Sequence, residues 1–193
     1  MKLSDNNYEE IKIKAVNLFQ KYDIRQVPID CFEICNKMNI NLIQYSTLSK
    51  SALTKAIEIS KDGFCLLKSD SIAGFEIEQW CIFYNDDMQK ERIRFTIMHE
   101  ICHIVLNHTE HSQLAEAEAN FFAKYSLAPP PLVHKIEPDD FIDLIDAFEI
   151  SGECALYSMR NYLNWLTYGG KEYKEYELIM LSLFNQWNYM NSI

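Results

Sequence analysis

Apolar and polar positions change their spacing several times along the chain. "NYEEIKIKAVNLFQKY", from Asn7 to Tyr22, repeats apolar residues at three and four steps and predicts a helix capped by Ser4 or Asp5. Pro28 predicts the opening of a second helix, running to about Met38, because proline is tolerated in a first helical turn. "INLIQYS" reads as a strand. "IEIS" and "FCLLKS" flank Lys61-Asp62-Gly63 and predict two short strands joined by a turn. "FEIEQWCIFYN" alternates and predicts a further strand, ending at Asn85-Asp86. From about Lys90 to Asn107 the period is helical, with Phe95, Met98, Cys102 and Val105 facing a core. "AEAEANFFAKYSLA" predicts another helix, stopped by Pro129-Pro130-Pro131. Pro138-Asp139 opens a short helix, Phe148 to Gly152 reads as a turn, and Ser151 caps a helix to about Leu166. Gly169-Gly170 separates it from a last helix, 172 to about 189.

This order predicts an α+β fold: a small mixed or antiparallel sheet packed with helices, followed by a helical C-terminal region. Residues 1–130 hold the sheet and the histidine-bearing helix, and 131–193 form the helical remainder, packed on the core. "DLIDAFEISGECALYSMRNYL" has the cadence of a helix-turn-helix, yet 131–193 holds four Lys/Arg against ten Asp/Glu. A DNA-reading surface needs positive charge, so a helical cap on the core is the better reading. Tyr173, Tyr176, Met180, Leu183, Phe184 and Trp187 recur at helical spacing. Such a stripe is usually core, and otherwise a docking face for a partner or a second copy.

Composition narrows the setting. A length of 193 residues with 48% apolar content is enough to bury a core. The net charge of −10 argues against general affinity for nucleic acid or anionic membranes. "MKLSDNNYEE" lacks the apolar core of a signal peptide, and "LIMLSLF" is too short to span a bilayer. Six cysteines, none in a C-x-x-C pair, fit reduced thiols and a cytoplasmic location.

The chemistry concentrates in "RFTIMHEICHIVLNH", residues 94–108, which carries three of the five histidines. His99 and His103, four apart, lie on nearly the same helix face and can offer two imidazoles to one ion. Glu100, one step round, suits a general base toward a water at that ion. Catalytic zinc takes three protein ligands and keeps one open position, so a third ligand must come from elsewhere. Glu116 and Glu118 on the following helix are the candidates, and they lie too far apart round the helix for both to bind. Asn120, four residues after Glu116, shares its face and could orient a ligating histidine. Glu118 reads better as a solvated carboxylate. Cys102 falls on the apolar stripe and reads as a buried thiol before a ligand or redox switch. His108 and His111 read as helix-end or surface residues before stabilisers of a tetrahedral intermediate. Arg92 and Arg94 read as structural, pairing with acids near the sheet.

"RIRFTIMHEICHIVLNH" (92–108) and "EAEANFFAKYSLAP" (116–129) resemble the ImmA/IrrE family of metallo-endopeptidases. The first matches the family's R-x-R-F-T-x-x-H-E-x-x-H helix and the second its E-x-x-A-N-x-F-A helix ending in proline. The resemblance extends over residues 5–165. It implies zinc held by His99, His103 and Glu116, with Glu100 as catalytic acid/base. It further implies limited proteolysis of a helix-turn-helix transcriptional repressor, in a mobile-element or stress-response circuit. Two positions depart from the pattern: Cys102 stands where the family often has Gly, and Leu-Ala-Pro replaces Leu-Met-Pro. Both affect packing more than chemistry. Two rival functions are a metal-stabilised module that binds a repressor without cutting it, and a DNA-associated regulator.

Overall fold

The computed structural model describes residues 2–72, 75–110, 112–169 and 172–187. In chain order the elements are α1 (Asp5–Lys21), α2 (Cys31–Lys37), β1 (Asn41–Gln44), α3 (Lys50–Ile59), β2 (Gly63–Ile72), β3 (Phe75–Tyr84), α4 (Lys90–Val105), α5 (Gln113–Leu127), α6 (Pro130–Ile136), α7 (Phe141–Phe148), α8 (Gly152–Tyr168) and α9 (Glu175–Leu183). The fold is α+β.

The sheet has the order β1-β3-β2. β2 and β3 pair antiparallel from Gly63↔Tyr84 to Ile72↔Phe75, while β1 lies parallel to β3, from Asn41↔Cys81 to Gln44↔Tyr84. The sheet is therefore mixed. Gly63 starts β2 where the backbone meets α4: a Cβ there would come within 2.6 Å of the Phe83 carbonyl oxygen and 2.7 Å of Thr96 Cγ2. Only a residue without a side chain lets the sheet settle this closely on the helix.

One apolar core joins the helices to the sheet. Phe19 of α1, Ile82 of β3, Met98 and Ile101 of α4, Phe122 of α5, Phe148 of α7 and Phe184 beyond α9 are all fully buried within it. Each such side chain contributes about 1.5–3 kcal/mol by leaving water. Arg94 is the polar pin of this core. Only 4% exposed, it donates to the carbonyls of Phe148 (2.9 Å) and Ile29 (2.8 Å), and also to that of Glu149. It ties the middle of α4 to the end of α7 and to the segment before α2. Arg92 pairs with Asp62 beside the sheet. The described helices include none long and apolar enough to cross a membrane.

Several elements differ from the sequence expectations. "IEIS" is not a strand: Ile57–Ile59 end α3, which Ser49 caps by accepting from Ala52 N–H. With Ile57 44% and Ile59 62% exposed, their β-branched pattern reflects no buried strand face. Pro28 does not open α2. Asp30 does, accepting from the N–H groups of Phe32 and Glu33. Of the two caps considered for α1, Ser4 holds the position. The prolines after α5 do more than stop it, since Pro130 and Pro131 form the first turn of α6. The last helix is shorter than predicted: α9 runs only Glu175–Leu183 and residues 184–186 form a turn, while the predicted end at about 189, like Gly170, lies outside the described residues.

The inner part of the aromatic stripe is core, while Leu183 and Trp187 are half-buried and Tyr173 is 38% exposed. Tyr176, Met180 and Phe184 are buried, Phe184 packs edge-on to Phe19 at 5.9 Å, and Lys174 pairs with Glu9 of α1 at 2.6 Å. The docking face that its spacing also allowed is thus covered by α1. All six cysteines are free, and Cys102 is fully buried, its thiol pushed up by burial.

Candidate metal centre

α4 turns Met98, Ile101 and Cys102 into the core and leaves His99 and His103 facing a cleft of about 340 Å³. The opposite walls include Asp62, Gly63 and Phe64 at the start of β2 and Glu116 and Asn120 of α5. Ser112 caps α5 by accepting from Ala115 N–H, which sets Glu116 in the first turn, beside α4.

Three ligand atoms converge there. His99 Nε2 and His103 Nε2 are 3.1 Å apart, and the Glu116 carboxylate approaches them at 3.5 Å and 3.7 Å respectively. Bonds of about 2.0–2.1 Å to a tetrahedral zinc place two ligand atoms about 3.3 Å apart. The triangle formed by His99, His103 and Glu116 therefore fits three corners of such a site. Its donor set, two imidazoles and a carboxylate, is one that zinc accepts. The fourth corner opens to the cleft, where Glu116 is 49% exposed. His99 is held below the usual histidine range, chiefly by burial, against the opposing pull of the Glu116 carboxylate and a hydrogen bond with Asn120. A ring kept neutral keeps its lone pair available to a metal.

Glu100 is also near: one ligand atom each from His99, Glu100 and His103 lies within 4.8 Å of the others. Glu100 is 7% exposed and receives hydrogen bonds from the backbone and thiol of Cys65 on β2. Burial pushes its carboxyl up to about 7, the Cys65 bonds opposing and the Glu116 charge assisting. A carboxyl poised there can take or give a proton near neutral pH. Asn120 donates from Nδ2 to the Glu116 carbonyl at 2.7 Å while also bonding His99.

A profile of the peptidase M78 family, described as the IrrE N-terminal-like domain, matches residues 61–159, just over half of the chain. This chain belongs to that family. The match starts at the turn before β2, takes in both helices that build the cleft, and ends within α8. No curated protein matches the chain. Membership makes this a metallopeptidase-family protein, and its metal-ready side chains lie inside the matched segment.

Two residues read differently in space. Glu118 is not a solvated carboxylate: its side chain is 15% exposed and its oxygens bond His108 at 3.0 Å and Asn7 at 2.8 Å. His108 is no surface histidine, being 12% exposed with Nδ1 2.9 Å from His103 Nδ1. A local signal for this was present. Asn107 adopts a left-handed φ of 54°, and His108 N–H returns to the His103 carbonyl at 2.9 Å while Asn107 N–H bonds Ile104. This is a Schellman closure, and asparagine is one of the residues that tolerates its left-handed position. It folds His108 back beneath His103. His111 lies outside the described residues.

Proposed function

We propose that this protein is a zinc-dependent endopeptidase, with His99, His103 and Glu116 as zinc ligands, Glu100 as general acid/base and Asn120 as the residue that steadies His99 and Glu116. The observation that carries this is the triangle of two Nε2 atoms and a carboxylate at 3.1, 3.5 and 3.7 Å, with the buried Glu100 beside it. When bound, zinc would act as a Lewis acid toward the peptide carbonyl and make a water more acidic. Glu100 takes the proton from the attacking water and delivers it to the leaving amine, from its place beside the two imidazoles. Burial keeps Glu100 out of bulk water, and the Cys65 backbone and thiol hold its orientation. Asn120 bridges the Glu116 backbone and the His99 ring, so the two helices keep their ligands in register.

The substrate of this reading is a helix-turn-helix transcriptional repressor, cut at a limited number of sites in the cytoplasm. Its support is the resemblance of residues 92–108 and 116–129 to the ImmA/IrrE family, and membership of the M78 family. Purified protein should hold about one zinc per chain, and the His99→Ala, His103→Ala double variant should hold none. Co-expression with a candidate helix-turn-helix repressor should yield one discrete cleavage product with wild type. Glu100→Gln should bind zinc and the repressor but leave it whole. Retention of zinc by the double variant would overturn the metal assignment. Equal DNA release by wild type and Glu100→Gln, with the repressor intact in both, would establish a binding regulator instead.

A further inference from the structure

A line of polar side chains runs from His103 away from the cleft. His103 Nδ1 meets His108 Nδ1 at 2.9 Å, and His108 Nε2 meets Glu118 Oε2 at 3.0 Å. Asn7 Nδ2 donates to Glu118 Oε1 at 2.8 Å, and the Ser4 hydroxyl donates to Asn7 Oδ1. The chain thus links the N-cap of α1 to α5, to the turn after α4, and so to the ring of His103. Its three inner side chains are well enclosed, with His103, His108 and Glu118 at 10%, 12% and 15% exposure.

We infer that His108 and Glu118 are positioning residues, which hold the His103 ring in the tautomer and orientation that present Nε2 to the metal. The inference rests on the proposed ligation by His103. With Glu118 ionised and His108 neutral, the direction of the bonds follows from donors and acceptors. The Asn7 amide nitrogen donates to Glu118 Oε1, and an ionised carboxylate has only an acceptor to offer at Oε2. Glu118 Oε2 then takes the Nε2 proton of His108, which leaves His108 Nδ1 bare. That bare nitrogen can accept only from a proton on His103 Nδ1. With its proton held there, His103 has its lone pair on Nε2, the atom that faces His99 at 3.1 Å and Glu116 at 3.7 Å. With both rings neutral, each link has one donor and one acceptor, and reversing any link puts two donors or two lone pairs face to face. A histidine ligand whose other nitrogen donates into such a chain is both oriented and more basic. Here a second histidine stands between ligand and carboxylate because the Schellman turn at Asn107 places it there.

The test is zinc affinity of the purified full-length chain, by competition with a chromophoric chelator, with ¹⁵N shifts of the histidine rings. His108→Leu should weaken zinc binding about 10- to 100-fold, the range for partners of ligating histidines. Glu118→Ala should weaken it in the same direction, and the double variant no further than His108→Leu alone, since the two act in series. His108→Gln, which keeps one acceptor and one donor, should recover most of the loss. In wild type, with and without zinc, His108 should show a protonated Nε2 and a bare Nδ1, a reading that needs no variant to fold. A merely structural role would lower the melting temperature of the metal-free protein and leave the zinc dissociation constant unchanged, which would overturn the inference. So would a His108 proton on Nδ1. Wild-type affinity in His108→Leu, with zinc lost in the His99→Ala, His103→Ala variant, would remove the positioning role and leave the ligand assignment standing. Zinc retained by that double variant would remove both.

Discussion

Two buried glutamates, Glu100 on α4 and Glu177 on α9, are 7% and 4% exposed. Glu177 is enclosed by donors that belong to the fold. Its Oε1 accepts from Trp165 Nε1 at 2.6 Å and its Oε2 from Lys174 N–H at 2.9 Å, where α9 starts. Glu100 lies at the back of an open cleft, with Cys65 as its donor and its carboxyl pushed up to about 7 by burial. Equal burial has opposite uses. A carboxylate held by fixed donors outside the metal-ready cleft is a fastener, while one lining that cleft beside the imidazoles can exchange a proton. Chemistry in this molecule follows nearness to the imidazoles more than it follows burial.

The largest effect should separate the two residues at once. Glu100→Gln should lower peptide cleavage by roughly 10²- to 10⁴-fold, the scale of general acid–base catalysis, with zinc content unchanged. Glu177→Gln should leave the turnover of folded protein within about 3-fold, since Glu177 does not line the cleft. Single-turnover cleavage assays beside metal analysis decide this, and equal losses in both variants would abolish the contrast.

Acidity sharpens it next. In the zinc-free protein Glu100 keeps its proton up to about pH 7, whereas in the unfolded chain it loses it near the ordinary 4.5. Between those values the folded state binds more protons. Its stability from this group is therefore full below pH 4.5, falls as pH rises, and is flat above 7. The span corresponds to about 3 kcal/mol, taken as the difference between wild type and Glu100→Gln. Urea midpoints at pH 5 and pH 8 with a chelator present measure it, and parallel curves for the two proteins would contradict the raised carboxyl.

The fastener has its own signature. Glu177→Gln replaces one acceptor oxygen by a donor and leaves Trp165 Nε1 or Lys174 N–H without its partner. A loss of about 1–3 kcal/mol in denaturant unfolding is expected. Asn120→Ala should weaken zinc binding about 10-fold, smaller than the loss from Glu116→Gln, because it steadies ligands and does not supply one. The least should come from Lys90→Ala, which removes an exposed pair with Glu149 worth at most about 1 kcal/mol.

The parts legible in the sequence are those set within a few residues. His99 and His103 are one helical turn apart, so their convergence follows once α4 is recognised. Caps were equally local: Ser4 and Ser151 hold the helix starts that their residue types indicate. Where local preference was weak, the reading failed. "IEIS" carries strand-like residues yet continues α3, because Ser49 starts a helix and its later turns run on to Ile59. The stripe on α9 was legible as a stripe, and only its packing on α1 showed that its inner part was core.

Alone, then, the amino-acid order determined the α+β class, the HExxH pair of imidazoles with its adjacent carboxyl, and the presence of two acids on the next helix. These depend on periodicity and spacing within single elements, where backbone geometry leaves little freedom. Tertiary structure decided which acid goes where. The phase of α5 against α4 brings Glu116 to both imidazoles and turns Glu118 toward His108. The turn at Asn107 and the first turn of α1 then join His103, His108, Glu118 and Asn7 across 111 positions of sequence. No spacing rule reaches that far, because a contact between elements is set by how whole faces pack, and a rotation of two residues, about 200°, round the axis of α5 would exchange Glu116 for Glu118.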